Sequence, residues 1–124
     1  MQAPHGVGQA PRIRHSKDST TEFEPFALED VLEGDPRSGV HWLQTEGSTD
    51  ATLMSGIFTC QPSRFRYVFE TDETIHVIEG RAKVTLDSGE AVELSAGDIA
   101  SFPRGAHAIW EISEPLREFF VLSG

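Results

Sequence analysis

The chain has 124 residues and a formal net charge of −10, from 20 acidic residues against 10 Lys plus Arg. This charge repels phosphate backbones and anionic lipid surfaces, which argues against nucleic acid or a membrane as a partner. The length is typical of one domain with its own core, and no apolar run is long enough to span a bilayer. The single cysteine, Cys60, cannot form an intrachain disulfide, which fits a reducing compartment. We therefore expect one soluble, cytoplasmic domain.

The N-terminal region differs in composition from the rest of the chain. Residues 1–22 are rich in Gly, Pro, Gln and Ser, and they bury too little surface to offset the entropy lost on ordering. We predict an N-terminal arm over 1–22 that is flexible or ordered only by a partner, and a single domain over 23–124. An apolar group from Phe23 to Leu32 ends at the turn signal Gly34-Asp35-Pro36. It predicts a short strand or helical turn that packs on the outside of the domain or on a neighbour.

From Gly39 onward, short runs rich in β-branched and aromatic residues alternate with turn residues. Helix-period patterns longer than two turns are absent after Gly34, which argues against a parallel βαβ architecture. The sequence therefore predicts an all-β sandwich or barrel. Its predicted strands are Val40–Thr45, Leu53–Cys60, Phe65–Glu70, Thr74–Glu79, Ala82–Leu86, Ala91–Leu94, Ile99–Phe102, His107–Ile112 and Arg117–Leu122.

The segment Lys83–Leu94 is the clearest hairpin of the sequence. Its turn, Asp87-Ser88-Gly89, ends on a glycine that adopts positive φ without strain. Because side chains alternate between the two faces of a strand, four of its residues are predicted to be buried: Val84, Leu86, Val92 and Leu94.

Two motifs flank this hairpin, Glu73-Thr-Ile-His-Val-Ile-Glu-Gly80 and Ala96-Gly-Asp-Ile-Ala-Ser-Phe-Pro-Arg-Gly105. Together they closely resemble the two consecutive motifs of the cupin superfamily. The resemblance implies a double-stranded β-helix, a jelly-roll barrel of two antiparallel sheets, and a homodimer that pairs edge strands. It covers about residues 40–122 and, within the superfamily, is to small single-domain cupins related to ureidoglycine aminohydrolases and to the ethanolamine-utilisation cupin.

The resemblance also locates the metal-binding positions of the family. A typical metal-binding cupin has three histidines and one glutamate there, and Glu73 matches the glutamate. Tyr67, Phe69 and Ala108 occupy the histidine positions, and a small residue followed two places on by Trp110 is familiar in the related small cupins. A divalent ion needs three or four converging N and O ligands, so we expect no conventional metal site and assign no cofactor. A Mn, Fe, Zn or Ni ion remains the alternative.

Glu73 is the candidate acid or base, because a carboxylate that faces inward among aromatic rings has a raised pKa. Tyr67 and Phe69 share strand parity, so with Trp110 they are predicted to line an aromatic pocket for a compact ligand. The alternative is that these rings only fill a small barrel.

His107 and Arg66 complete the predicted ligand-binding residues. A histidine is suited to donate to a ligand or to carry a proton near neutral pH, although alternation points His107 outward if Ala108 points inward. Arg66, with Arg64, is predicted to hold a carboxylate at the barrel mouth through forked donors. The alternative for each is a solvated surface side chain.

These residues lead to three functional hypotheses. The first is a small-molecule cupin that binds or transforms a compact nitrogenous or carboxylate metabolite in the barrel. The second is a non-catalytic module for ligand sensing or dimerisation, and the third is a metal-dependent enzyme with an atypical site that brings His107 or His76 to Glu73. The resemblance does not choose between them or say whether the protein is an enzyme, because function depends on the site and not on the fold.

Overall fold

The computed structural model of the protein describes residues 13–17, 23–45 and 52–124. Within these ranges the chain consists mainly of antiparallel strands, and no helix has the length and apolar character needed to cross a membrane. The all-β prediction is confirmed. The strands are β1 (Glu24–Pro25), β2 (Asp30–Gly34), β3 (Gly39–Gln44), β4 (Leu53–Cys60), β5 (Ser63–Val68), β6 (Asp72–Leu86), β7 (Ala91–Ser95), β8 (Ile99–Phe102) and β9 (His107–Ser123).

The two longest strands, β6 and β9, pair along almost their whole length and belong to both sheets of the barrel. The first half of β6 lies between β8 and the second half of β9, and β4, β3 and β1 continue this sheet. The second half of β6 lies between β7 and the first half of β9, and β5 and β2 continue the other sheet. This arrangement is the predicted double-stranded β-helix.

Gly80 lies where β6 passes from one sheet to the other. Its φ is +94°, and a Cβ at this position would lie 2.1 Å from the backbone oxygen of Pro115 in β9. Register shifts on both sides of Gly80 bend the strand without ending its pairing. The structure therefore corrects the strand prediction by joining two pairs of predicted strands: Thr74–Glu79 with Ala82–Leu86, and His107–Ile112 with Arg117–Leu122.

Two side chains of the first apolar segment pack against the core, which corrects the prediction that the segment packs on the outside of the domain or on a neighbour. The short strands β1 and β2 extend the two sheets by pairing with β3 and β5. Phe26 and Leu28, in the connection between them, pack against the core and line a cavity within it. Because this connection joins the edge of one sheet to the edge of the other, its apolar side chains cover the gap between the sheets.

The hairpin of β6 and β7 forms as predicted, with one difference in burial. Val84 and Leu94 are buried and Leu86 is partly buried, whereas Val92 is 39% exposed. The reason is that, among the described strands, β7 pairs only with β6, which leaves it at the edge of the sheet.

Most of the predicted N-terminal arm, residues 1–12 and 18–22, lies outside the described residues. In the described piece, 13–17, the Arg14 side chain donates a hydrogen bond from Nη2 to the backbone oxygen of Trp42 at 3.4 Å.

Replacing Gly80 by Ala should destabilise the barrel much more than replacing Gly89 by Ala. Both glycines have positive φ, +94° and +96°, so both variants carry a backbone strain of about 1–2 kcal/mol. A Cβ at Gly89 meets nothing within 4 Å, whereas one at Gly80 meets the backbone of Pro115. Chemical denaturation is expected to show a loss of at least about 3 kcal/mol for Gly80→Ala, or no folded protein. Equal losses for the two variants would contradict the role of Gly80.

Candidate functional site

A cavity of about 70 Å³ lies between the two sheets. This is roughly half the 150 Å³ of an engineered cavity that accommodates benzene, so it suits a ligand of about three or four non-hydrogen atoms. Its wall is mostly apolar, and Tyr67, Glu73, Glu118 and two indole rings carry its polar side-chain atoms. The lining residues are Phe26, Leu28, Val40, Trp42, Phe58, Phe65, Tyr67, Glu73, Trp110, Glu118, Phe120 and Leu122.

Glu73 faces this cavity from the start of β6. It is 8% exposed and shares the inner face of the strand with Ile75 and Val77. The Tyr67 hydroxyl donates a hydrogen bond to Glu73 Oε1 at 3.2 Å. Burial raises the pKa of Glu73 to about 7, and the hydrogen bond partly offsets this rise because it stabilises the carboxylate. A carboxyl group with this pKa exchanges its proton near neutral pH, as a general acid or base must.

Tyr67 stands at one of the family's histidine positions, directly across from Ala108 in the pairing of β5 with β9. The phenol ring lies opposite a methyl group, so the larger side chain has room at the cavity wall. Two causes raise the pKa of Tyr67 well above its usual value: burial, which is the larger, and the negative charge of Glu73. The hydroxyl therefore keeps its proton and remains a donor to Glu73.

Glu118 is a second acid in the cavity wall, and the sequence analysis did not single it out. It is 2% exposed and shares the inner face of β9 with Trp110 and Phe120. Burial raises its pKa well above the usual value, and the charge of Glu73 raises it further. Alternation from Ala108 places position 118 on the inner face, provided that one strand runs through both positions. The sequence prediction ended a strand at Ile112 and began another at Arg117, so this alternation was not followed to Glu118.

Trp110 packs its indole against the ring of Phe65, with centroids 6.2 Å apart and nearly parallel planes. The side chain is 4% exposed and lines the cavity. Among the described residues, neither Trp110 Nε1 nor Glu118 Oε1 has a hydrogen-bond partner. The cavity wall thus contains one unpaired donor and one unpaired acceptor.

Phe69, which was predicted to line the pocket, lies in the core beside it. Its side chain is 1% exposed and stacks on Phe102 with centroids 4.7 Å apart. Its ring also meets the ring of Tyr67 edge to face at 4.9 Å. Phe69 therefore supports Tyr67 from behind, while Tyr67 itself reaches the cavity.

His107 and Arg66, which were predicted to contact a ligand, lie outside the barrel cavity, and His107 faces outward as alternation predicts. Both line a larger cleft of about 740 Å³ on the surface, which we call the outer cleft. Alternation turns Arg66 outward, and its Nη1 lies 3.5 Å from Asp30 Oδ2. Arg64 likewise lies 3.6 Å from Glu33. Both arginines, predicted to hold a carboxylate at the barrel mouth, thus contact acids of β2, and of the two Arg66 alone lines the outer cleft.

The residues at the family's metal positions do not fit a metal centre. The three histidine positions offer a phenol, a phenyl ring and a methyl group, and the fourth, Glu73, is hydrogen-bonded to the phenol. His76 and His107 are exposed on the outer face of their strands, so neither joins Glu73 as the third hypothesis required. In the described ranges, no group of three or more His, Cys, Asp or Glu residues is arranged to hold a metal ion.

The fold and the motifs together define a cupin: two sheets share two bent strands, an inward glutamate follows the start of β6, and glycine turns with positive φ stand at Gly97 and Gly105. More specifically, the chain belongs to the EutQ-like cupin domain family, whose model matches residues 47–120. Comparison with the curated proteins gives no match.

Solved structures agree with this assignment. A DUF861 family protein from Thermotoga maritima is 32% identical over 53% of this chain and 75% of its own, with a TM-score of 0.52. A putative ethanolamine utilization protein Q from Salmonella typhimurium LT2 is 24% identical over 68% of each chain, with a TM-score of 0.60. The polyketide cyclase RemF from Streptomyces resistomycificus is 18% identical over 93% of this chain and 80% of its own, with a TM-score of 0.68. The last two similarities show the fold alone.

Replacing Tyr67 by Phe should raise the pKa of Glu73 above about 7, because it removes the hydrogen bond that stabilises the carboxylate. The titration of the glutamate side-chain carboxyl carbon, followed by carbon-13 NMR, measures this change. A Glu73→Gln variant identifies the signal, and a Val68→Ala variant, exposed on the same strand, should leave it in place. An unchanged or lower pKa in Tyr67→Phe would contradict the geometry.

The stability of the protein should fall as the pH rises from about 4.5 to about 7. Glu73 titrates at 4.5 when unfolded and at about 7 when folded, so the unfolded chain loses its proton first in this window. Relative to Glu73→Gln, the wild type should lose about 3 kcal/mol of unfolding free energy across it. Chemical denaturation at several pH values gives this difference. Glu79→Gln, an exposed change on the same strand, should follow the wild type, and a pH-independent difference between Glu73→Gln and the wild type would contradict the prediction.

Proposed function

We propose that this protein binds a compact nitrogenous metabolite in the barrel cavity, or transforms it by acid–base chemistry, with Glu73 as the acid or base. The observation that carries the proposal is the Tyr67–Glu73 hydrogen bond inside an apolar cavity. Carboxyl groups whose pKa lies near neutral pH are concentrated at functional sites, because burial of this kind serves proton transfer and not stability.

The two acids favour a nitrogenous ligand over the carboxylate ligand that the sequence left open. Glu73 and Glu118 both line the cavity, and the charge of one already disfavours the ionisation of the other. A carboxylate ligand would add a third acid, and its negative charge would be disfavoured for the same reason. A protonated nitrogen would instead pair with a carboxylate. The ring faces of the wall add a further attraction for a cation.

The outer cleft supports the same ligand class. Phe26, Leu28 and Tyr67 border both the cavity and the cleft, so we take the cleft as the approach to the cavity. Among the described residues that line the cleft, the only arginine is Arg66, which is ion-paired with Asp30, one of four acids in this set. An acidic cleft attracts cations and raises their local concentration. The acids of the cleft are Glu29, Asp30, Glu70 and Asp87.

Glu73 and Tyr67 have distinct roles in this proposal. Glu73 takes a proton from the ligand nitrogen or returns one to it, and the pKa of about 7 makes both directions accessible. Tyr67, whose own proton is firmly held, orients the carboxylate and stabilises its ionised form. A protein that only senses the ligand would use the same contacts without turnover, so binding is the first property to measure.

Propylamine should bind to the wild type and propionate should not, as measured by NMR titration at neutral pH with a chelator present. Glu73→Gln should weaken propylamine binding by about tenfold, the loss of about 1.4 kcal/mol expected when one charged partner is removed. Glu79→Gln is the matched control, since it removes an exposed acid from the same strand. Tighter binding of propionate, binding that appears only when Mn, Fe, Zn or Ni is added, or full binding in Glu73→Gln would contradict the proposal.

A further inference from the structure

Two buried polar atoms of the cavity wall have no partner among the described residues, Trp110 Nε1 and Glu118 Oε1. Their side chains are 4% and 2% exposed, and both project from the inner face of β9. An unpaired buried polar group destabilises the folded protein, and few remain in a folded protein without a reason. Among the described residues, His41 Nε2 is also buried without a hydrogen-bond partner, but His41 does not line the cavity.

The chemistry of the two atoms defines what would satisfy them. An indole N–H only donates, so Trp110 needs an oxygen acceptor. When Glu118 is ionised it only accepts, so this form needs an N–H donor, and a positive charge on that donor also compensates the buried negative charge. Because the cavity of about 70 Å³ holds only a small molecule, a single ligand that carries both groups would satisfy both atoms.

Glu118 is better placed than Glu73 to hold a cationic group. Glu73 already accepts a hydrogen bond from Tyr67, whereas Glu118 Oε1 accepts none in the described part of the chain. The two acids thus have separate tasks, with Glu118 holding the ligand and Glu73 exchanging a proton with it.

We infer that Trp110 and Glu118 form the recognition half of the cavity and select a compact ligand that carries both a protonated nitrogen and an oxygen acceptor. This inference rests on the proposed function, because it names the ligand class of the same cavity. Trp110 donates to the oxygen of the ligand, and Glu118 accepts from its nitrogen.

Binding of such a ligand releases protons. The titratable groups near Glu118 are Glu73 and Tyr67 in the cavity and Cys60 on β4, whose thiol keeps its proton because burial raises its pKa to about 11. The pKa of Glu118 is raised by burial and by the charge of Glu73. A bound cation favours the ionised carboxylate, so the pKa of Glu118 falls in the complex and its proton leaves. Calorimetric titration in two buffers with different ionisation heats measures this release, which packing alone would not produce.

The experiment compares three ligands of matched size: 2-aminoethanol with both groups, propylamine with the nitrogen alone, and 1-propanol with the oxygen alone. The wild type should bind 2-aminoethanol about tenfold tighter than either of the others. Trp110→Phe keeps the ring that packs on Phe65, and it should weaken 2-aminoethanol to the level of propylamine without changing propylamine. Glu118→Gln should weaken both amines and remove the proton release. Glu111→Gln, an exposed change on the same strand, should behave as the wild type.

Other outcomes separate this inference from the proposed function. If propylamine binds and needs Glu73, but 2-aminoethanol binds no tighter in the wild type, the proposed function stands and the inference is wrong. Trp110 Nε1 would then meet only a buried water.

Equal weakening of both amines in Trp110→Phe would also overturn the inference. If no amine binds the folded wild type, the proposed function fails and the inference with it. Should Glu118→Gln fail to fold, the ligand comparison on wild type and Trp110→Phe decides alone.

Discussion

The pairing of β6 with β9 is the constraint on which the rest of the structure depends. Each strand runs through both sheets, and they bend together where Gly80 passes the backbone of Pro115 with no space for a side chain. The same two strands carry the chemistry of the cavity, with Glu73 on β6 and both Trp110 and Glu118 on β9. The contact that closes the barrel therefore also sets the distance between Glu73, which we propose as the acid or base, and the groups that we assign to ligand recognition.

Burying two acids in one apolar cavity works against stability. Desolvation raises the pKa of both Glu73 and Glu118, and the negative charge of Glu73 adds to the effect at Glu118. A barrel selected only for stability would fill these positions with apolar side chains, as it does at Phe65 and Phe120. Buried acids and unsatisfied polar groups of this kind are concentrated at functional sites, and they support the ligand site that we propose.

The family assignment explains the barrel, and the departures from the metal-binding pattern explain its cavity. Tyr67 and Phe69 fill space at two of the family's histidine positions, one as a donor to Glu73 and the other as a support behind it. Ala108 leaves room opposite Tyr67. These positions therefore lack the converging N and O ligands that a metal ion needs, and the small organic ligand that we propose would lie in the same barrel. The homodimer and the cytoplasmic location remain predictions from the sequence.

The sequence by itself determined the strands, the fold class and the inward position of Glu73. Strands such as Leu53–Cys60 and Ile99–Phe102 were predicted with their observed bounds, because alternation and turn residues are local signals. Only the tertiary structure decided that β9 is continuous, and strand parity reaches Glu118 only through that continuity. It also decided that Arg66 pairs with Asp30 and that Phe26 covers the cavity. These contacts join segments far apart in the chain, and a local pattern carries no information about which distant segments will meet.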